Sequence, residues 1–281
     1  MLTEAGALLT LLRHGTRPVR EYVELAEDLG SARQVLAQEG LVGLDSTAAE
    51  AEIDGWRRQG LELITLLDTR YPQNLRAVHD RPPFLFVAGG LRPEDSRSIA
   101  VIGGRKPSPS GLNTAVVIAS QLSSSGFTIV SGLAAGIDTA AHKAALAKGG
   151  RTVAVIGTGL KHAYPRQNES LQREIARRGV VLSQFWPDDR PTRSTFPQRN
   201  ATMSGLTLGT VIVEASETSG TRIQARRALQ HGRPVFLLQR LPERLRWARE
   251  LARAPGVHVI QSADEVSSTI DRLTASGALA G

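Results

Sequence analysis

From Ser98 to the C-terminus the chain alternates short apolar runs with longer stretches patterned as helices, a rhythm that few folds accept. Strands are expected at Ile99–Ile102, Thr128–Val130, Val153–Ile156, Val180–Leu182, Val211–Val213, Val235–Leu237 and Val257–Ile260. The intervals between them have the length of βαβ units, which calls for an α/β fold with a doubly wound, mostly parallel sheet. Ile99 to Ile102 is apolar throughout rather than alternating, as suits a strand covered on both faces. Ala100-Val101-Ile102-Gly103 recurs 54 positions later as Ala154-Val155-Ile156-Gly157; four residues are too short a repeat to establish a duplication.

Upstream the texture differs. Leu63-Ile64-Thr65 and Phe84-Leu85-Phe86-Val87 read as short strands, set around Tyr71-Pro72 and Arg81-Pro82-Pro83, that add to the edge of the main sheet. Before them, Ala5–Leu12, Val19–Leu29 and Ala32–Ala37 have helical spacing. The chain is therefore expected to hold a small helical, SAM-like domain over residues 1–60 and an extended Rossmann-like domain over residues 61–281.

Charge is unevenly divided between these parts. Residues 1–97 carry 11 Lys/Arg against 15 Asp/Glu, and residues 98–281 carry 23 against 12. A basic α/β part joined to an acidic leader points to a polyanionic partner, nucleic acid before membrane. Only 4 of the 34 cations are lysine, a bias that base composition can produce, but base composition does not explain the asymmetry of sign. The absence of cysteine excludes disulfides and thiolate metal sites. With no apolar run near the roughly 20 residues of a membrane span, and no basic leader, a soluble, cytoplasmic protein is expected.

The candidate ligand residues cluster where strands give way to helices. Gly103-Gly104 after the first core strand is followed by Arg105 and Lys106, at the place where open α/β sheets bind ligands. Ser131-Gly132 after the second, and Ser219-Gly220 before a later helix, offer free backbone N–H groups to an anion. Arg166 follows Tyr164-Pro165, and reads either as a phosphate ligand or as an exposed charge. Phe196, beside Arg199 and Asn200, is either a stacking platform for an unpaired base or a core anchor. Asp138 and His142, at i and i+4, read first as capping and packing residues. Arg222, Arg226 and Arg227, and then Arg244, Arg246, Arg249 and Arg253, form basic helix faces that solvation alone can explain. No phosphate loop of the G-x-x-x-x-G-K-[S/T] type, no H-E-x-x-H and no G-x-S-x-G is present, so neither an enzyme nor a cofactor or metal is expected from motifs.

Taken in order, V-I-G-G-R-K-P-S (101–108), S-G-L-A-A-G-I-D-T-A-A-H (131–142), G-T-G-L-K-H-A-Y-P-R-Q-N (157–168), F-P-Q-R-N (196–200) and E-A-S-E-T-S-G-T (214–221) resemble the DNA-processing protein A family, also called Smf. The resemblance covers residues 60–240 well and the N-terminal helices loosely. It implies a homodimeric protein that binds single-stranded DNA without hydrolysis and helps load the RecA recombinase during DNA uptake. In that scheme Arg105 and Arg166 hold backbone phosphates, and Phe196, Arg199 and Asn200 line the path of the strand; Lys106, Ser131, Gly132, Asn168, Ser219 and Gly220 complete the candidate DNA contacts. The chain departs from the family pattern at Gln184, at Ala201 and after Leu238. A second reading is a Rossmann-like sensor or hydrolase of small nucleotides, for which Glu214 with Ser219-Gly220-Thr221 is the relevant feature.

Overall fold

The computed structural model describes residues 2–41 and 46–279; the few other positions within the two expected domain ranges lie outside the described residues. Four helices come first: α1 (Glu4–His14), α2 (Val19–Leu29), α3 (Ala32–Gln38) and α4 (Ser46–Arg58). Thr3 caps α1 by accepting from the Gly6 N–H, and α2 ends at Gly30 with a left-handed φ of 65°. Three helices match those expected, whereas α4 is additional: its spaced apolar residues, Ala49, Ile53 and Trp56, are too sparse to stand out as a pattern.

Strand β1 (Glu62–Thr65), the single turn α5 (Gln73–Arg76) and β2 (Phe84–Gly89) lead into the core. Alternating strands and helices follow: β3 (Ser98–Ile102), α6 (Pro109–Ser124), β4 (Thr128–Ser131), α7 (Ile137–Ala147), β5 (Thr152–Val155), α8 (Glu169–Arg178), β6 (Val180–Ser183) and α9 (Thr195–Leu206). The last part holds β7 (Gly209–Ile212), α10 (Thr221–Gln230), β8 (Val235–Leu238), α11 (Arg240–Arg244), α12 (Arg246–Leu251), β9 (Val257–Ile260) and α13 (Ala263–Ala275). The basic stretch after β8 is thus two short helices bent at Leu245, not one.

The nine strands form one sheet in the order β1-β2-β6-β5-β4-β3-β7-β8-β9. β2 joins β6 and β1 antiparallel, and every other neighbour is parallel. All residues of β3 through β8 are buried, which is why these segments read as unbroken apolar runs. β7 begins two residues earlier than its apolar run, because Gly209 and the buried Thr210 already pair with Ile99 and Ala100. Chain direction across the sheet reverses at β3: β4, β5 and β6 lie on one side of it, and β7, β8 and β9 on the other. The loops leaving β3 and β7 therefore diverge and open a crevice at the carboxyl ends of the strands.

The N-terminal helices are joined to this sheet by aromatic packing. Helices α1 to α3 bury a cluster of their own around Leu8, Leu11, Tyr22 and Val35. α4 lays Trp56 edge-on against Phe86 of β2, with ring centroids 4.8 Å apart, and Trp186 packs 4.7 Å from Phe84. The Arg13 guanidinium covers the Trp186 ring at 4.3 Å. Trp186, in the long connection after β6, is therefore an anchor for the helical module.

Candidate functional site

The crevice at the strand-order reversal holds two adjoining cavities of about 650 and 200 Å³. They share Arg105, Ala134, Phe196 and Arg199. The larger runs between the β3 loop and the start of α10, and the smaller between the loops after β4 and β5. The Gly103-Gly104 turn is obligatory here: a Cβ on Gly103 would lie 2.7 Å from the Glu214 carbonyl oxygen. Gly104 donates its N–H to that same oxygen at 2.7 Å, so the two diverging loops are stitched together at their base.

Beyond this turn, Arg105 is exposed and its guanidinium sits 5.3 Å from the centroid of the Phe196 ring. Tyr164 packs on the same ring, with centroids 5.5 Å apart, and is itself 45% exposed. Arg166 follows on the exposed turn after Pro165. Among the described residues, Arg105, Lys106 and Arg166 have no hydrogen bond to a side chain and no ion pair. Arg105 and Lys106, unneutralised by protein carboxylates, thus line the same cavity as Phe196, with Arg166 exposed two residues after Tyr164, an arrangement suited to an anionic chain with planar groups. Tyr164 was not among the candidate residues: 32 positions from Phe196, it carries no local signal that the fold will stack it there.

The other candidate residues in this region form the frame under that surface. Arg199 of α9 is buried, at 6% exposure, and donates to the carbonyls of Gly132 at 2.5 Å and Val155 at 2.7 Å. Asn200 accepts from its Nε at 3.0 Å. One guanidinium thus ties α9 to the ends of β4 and β5. Asp138 is not the cap of α7, since Gly136 holds that position. Its carboxylate instead turns back onto the loop and accepts from the N–H of Gly132 at 3.2 Å and Ala134 at 3.4 Å. Burial pushes the Asp138 carboxyl above its ordinary value, while the Arg199 charge and these N–H groups pull the other way. Asn168 donates to Leu133 O and Thr139 Oγ1, both at 2.8 Å, and Ser131 donates to Val101 O at 2.7 Å. The side chains of Arg199, Asn168 and Ser131 are all engaged in holding loops.

Leu133 lies at the centre of this frame with φ of 55°. A left-handed leucine costs about 1–2 kcal/mol, and here its side chain is fully buried while Asn168 holds its carbonyl. Backbone strain that surrounding contacts over-determine is concentrated at ligand sites. His142 is fully buried as well; its Nδ1 lies 2.7 Å from Thr152 Oγ1, and burial drives its pKa down to about 3. It is a core residue, as the packing reading expects.

On the β7 side the Glu214 carboxylate accepts from Ser108 N at 2.7 Å and Ser108 Oγ at 2.6 Å. It braces the approach to α6, whose first turn Ser108 caps through Gly111 N. Ser219 lies at the mouth of the larger cavity, and its Oγ accepts from Thr221 N at 3.3 Å; exposed Gly220 is the cap of α10. Of the basic faces, Arg227 pairs with Asp80 and Arg246 with Glu250.

A strand order that reverses at β3, glycine turns at that reversal, and a cation-rimmed crevice above them define an extended Rossmann-like protein with a cleft at the topological switch point. Residues 62–271 match the family model for DNA recombination-mediator protein A. The chain belongs to this family, the one its motifs resemble. It is 36% identical to the DNA processing protein DprA of Streptococcus pneumoniae over 233 residues, covering 82% of this chain and 80% of the relative. It is 42% identical to protein Smf of Escherichia coli over 169 residues, covering 60% of this chain and 45% of that protein. The X-ray structure of the S. pneumoniae protein superposes with a TM-score of 0.72 at 32% identity, covering 95% of this chain and 93% of that one. A structure of the Helicobacter pylori DNA processing protein A, concerned with how that protein binds single-stranded DNA, superposes with a TM-score of 0.66 at 27% identity. It covers 75% of this chain and 96% of that one.

Proposed function

We propose that the crevice binds single-stranded DNA without catalysis, and that the protein acts in the cytoplasm as a homodimer in DNA uptake or recombination, helping to load RecA. The observation that carries the DNA reading is the cluster of Arg105, Phe196 and Tyr164, with the guanidinium 5.3 Å from the Phe196 centroid and paired with no carboxylate, and the two rings 5.5 Å apart at 46°. A single strand offers phosphates to Arg105, Lys106 and Arg166, and unpaired bases to the two rings; a duplex hides its bases. The positive balance of residues 98–281 supplies long-range attraction. The role in recombination, the dimer and the RecA contact rest on family membership.

Fluorescence anisotropy with single-stranded and duplex oligonucleotides across a salt series tests the reading. Single strands should bind more tightly, with affinity falling steeply as salt rises. Arg105→Ala should lower the salt slope by about one. Equal affinity for the two forms, or an unaltered Arg105→Ala protein, would refute it. Light scattering and RecA co-sedimentation test the dimer and the partner separately.

A small-nucleotide sensor or hydrolase remains the second reading, favoured by a cavity of about 650 Å³ beside the first turn of α10. The two hydrogen bonds that Glu214 accepts from Ser108 count against that carboxylate as a general base. A thermal upshift with nucleoside monophosphates, absent in Ser219→Ala, would support this reading over the first.

A further inference from the structure

His79 and Asp80 lie between α5 and β2, and His231 closes the C-terminal end of α10. Separated by about 150 positions in sequence, they show no motif, and none of them lines the crevice. In the fold, one ligand atom from each lies within 4.8 Å of the others. His79 and Asp80 are exposed, while the His231 side chain has no exposed surface. The cluster thus has one fixed member and two that open to solvent.

The hydrogen bonds at His231 determine which nitrogen faces the cluster. Ser204 Oγ lies 2.9 Å from Nδ1, and the Ser204 hydroxyl proton is used on Ala201 O at 2.9 Å. With that proton so used Ser204 accepts from Nδ1, and Nε2, 2.7 Å from Asp80 Oδ1, is the nitrogen that faces the cluster. A proton or a metal ion bridges such a nitrogen–carboxylate pair, and what sets this pair apart is the third donor, His79, within 4.8 Å of both ligand atoms. Fixing a ligand histidine through its second nitrogen is the usual outer-shell device of imidazole metal sites.

We infer that His79, Asp80 and His231 bind one divalent transition-metal ion of the zinc class, with solvent completing the coordination. Two imidazoles and a carboxylate suit such an ion and not magnesium, which prefers oxygen ligands. With bonds of about 2.0–2.1 Å to nitrogen and oxygen, neighbouring ligand atoms stand about 3–3.4 Å apart. The Asp80 and His231 atoms are close to that spacing, so only the exposed His79 side chain has to swing inward. The Arg227 guanidinium, 3.7 Å from Asp80 Oδ2, opposes a second positive charge and keeps the affinity moderate. A bound ion would pin the segment before β2 to the end of α10, the helix whose first turn borders the crevice.

The test uses the full chain without a histidine tag, stripped of metal by chelation, with zinc chloride as the probe. Isothermal titration should give one zinc per chain, and zinc should raise the melting temperature by several degrees where magnesium chloride does not. His79 is exposed and its only contact in the cluster is a ring edge on His231, with centroids 5.6 Å apart, so His79→Ala should fold normally. This variant should bind zinc at least about tenfold more weakly. No zinc binding by the wild type, an equal response to magnesium, or undiminished zinc binding by His79→Ala would each overturn the site.

Discussion

Arg105 and Arg199 show how differently two arginines in one crevice are used. Arg105 is free at the rim and stacked on Phe196, whereas Arg199 is spent on two carbonyls and a neighbouring amide. Lysine could not replace Arg199, because a single ammonium lacks the fork that reaches Gly132 and Val155 together. Arg199→Lys should cost about 2–4 kcal/mol in urea unfolding, since it leaves a buried carbonyl unmet. Tyr164 and Phe196 form a unit of another kind. Each →Ala change should weaken single-strand binding by about 1–3 kcal/mol, and the double variant should lose less than the sum, because the rings support one another. A strictly additive double-mutant cycle would mean that the stack has no joint role.

Among the elements, the β4–α7 loop is the most tightly specified. A Cβ on Gly132 would meet Arg199 Nη1 at 2.1 Å, displacing the guanidinium from its seat. Gly132→Ala should therefore destabilise the protein by about 2–4 kcal/mol, and thermal unfolding of this variant beside Ala134→Gly separates loss of the seat from ordinary loop loosening. The same loop marks where sequence stops informing. β3 through β8 were legible because strands covered on both faces are mostly apolar, and their alternation with helices gave a parallel, doubly wound sheet, whereas the strand order and its reversal at β3 were visible only in the fold. That Ser131, Asn168 and Arg199 turn inward, however, depends on carbonyls contributed by distant segments, such as Val101, Leu133 and Val155. Residue type indicates that a group can bind an anion; only the fold indicates whether it already has a partner. Tyr164 escaped notice for the same reason, as its packing partner Phe196 lies far away in the chain.

For the whole molecule, the buried His142 ties folding to pH. Its folded pKa of about 3 lies below the ordinary 6.5, so as pH falls through that window the unfolded chain takes up a proton that the folded chain refuses. The stability it contributes is complete above about pH 6.5 and is lost on acidification, amounting to roughly 2–3 kcal/mol by pH 4.5. Urea midpoints at pH 7 and pH 4.5 should fall more for the wild type than for His142→Asn, and equal falls would exclude His142 as the cause. The framework around Leu133 has a kinetic consequence. Its loops are held by the protein's own hydrogen bonds, so little conformational freedom is left for them to lose on association. In the proposed complex with single-stranded DNA, encounter then depends on charge and diffusion, the burden of becoming ordered rests on the strand, and removal of a rim charge such as Arg105 is expressed mainly in the association rate and its salt dependence.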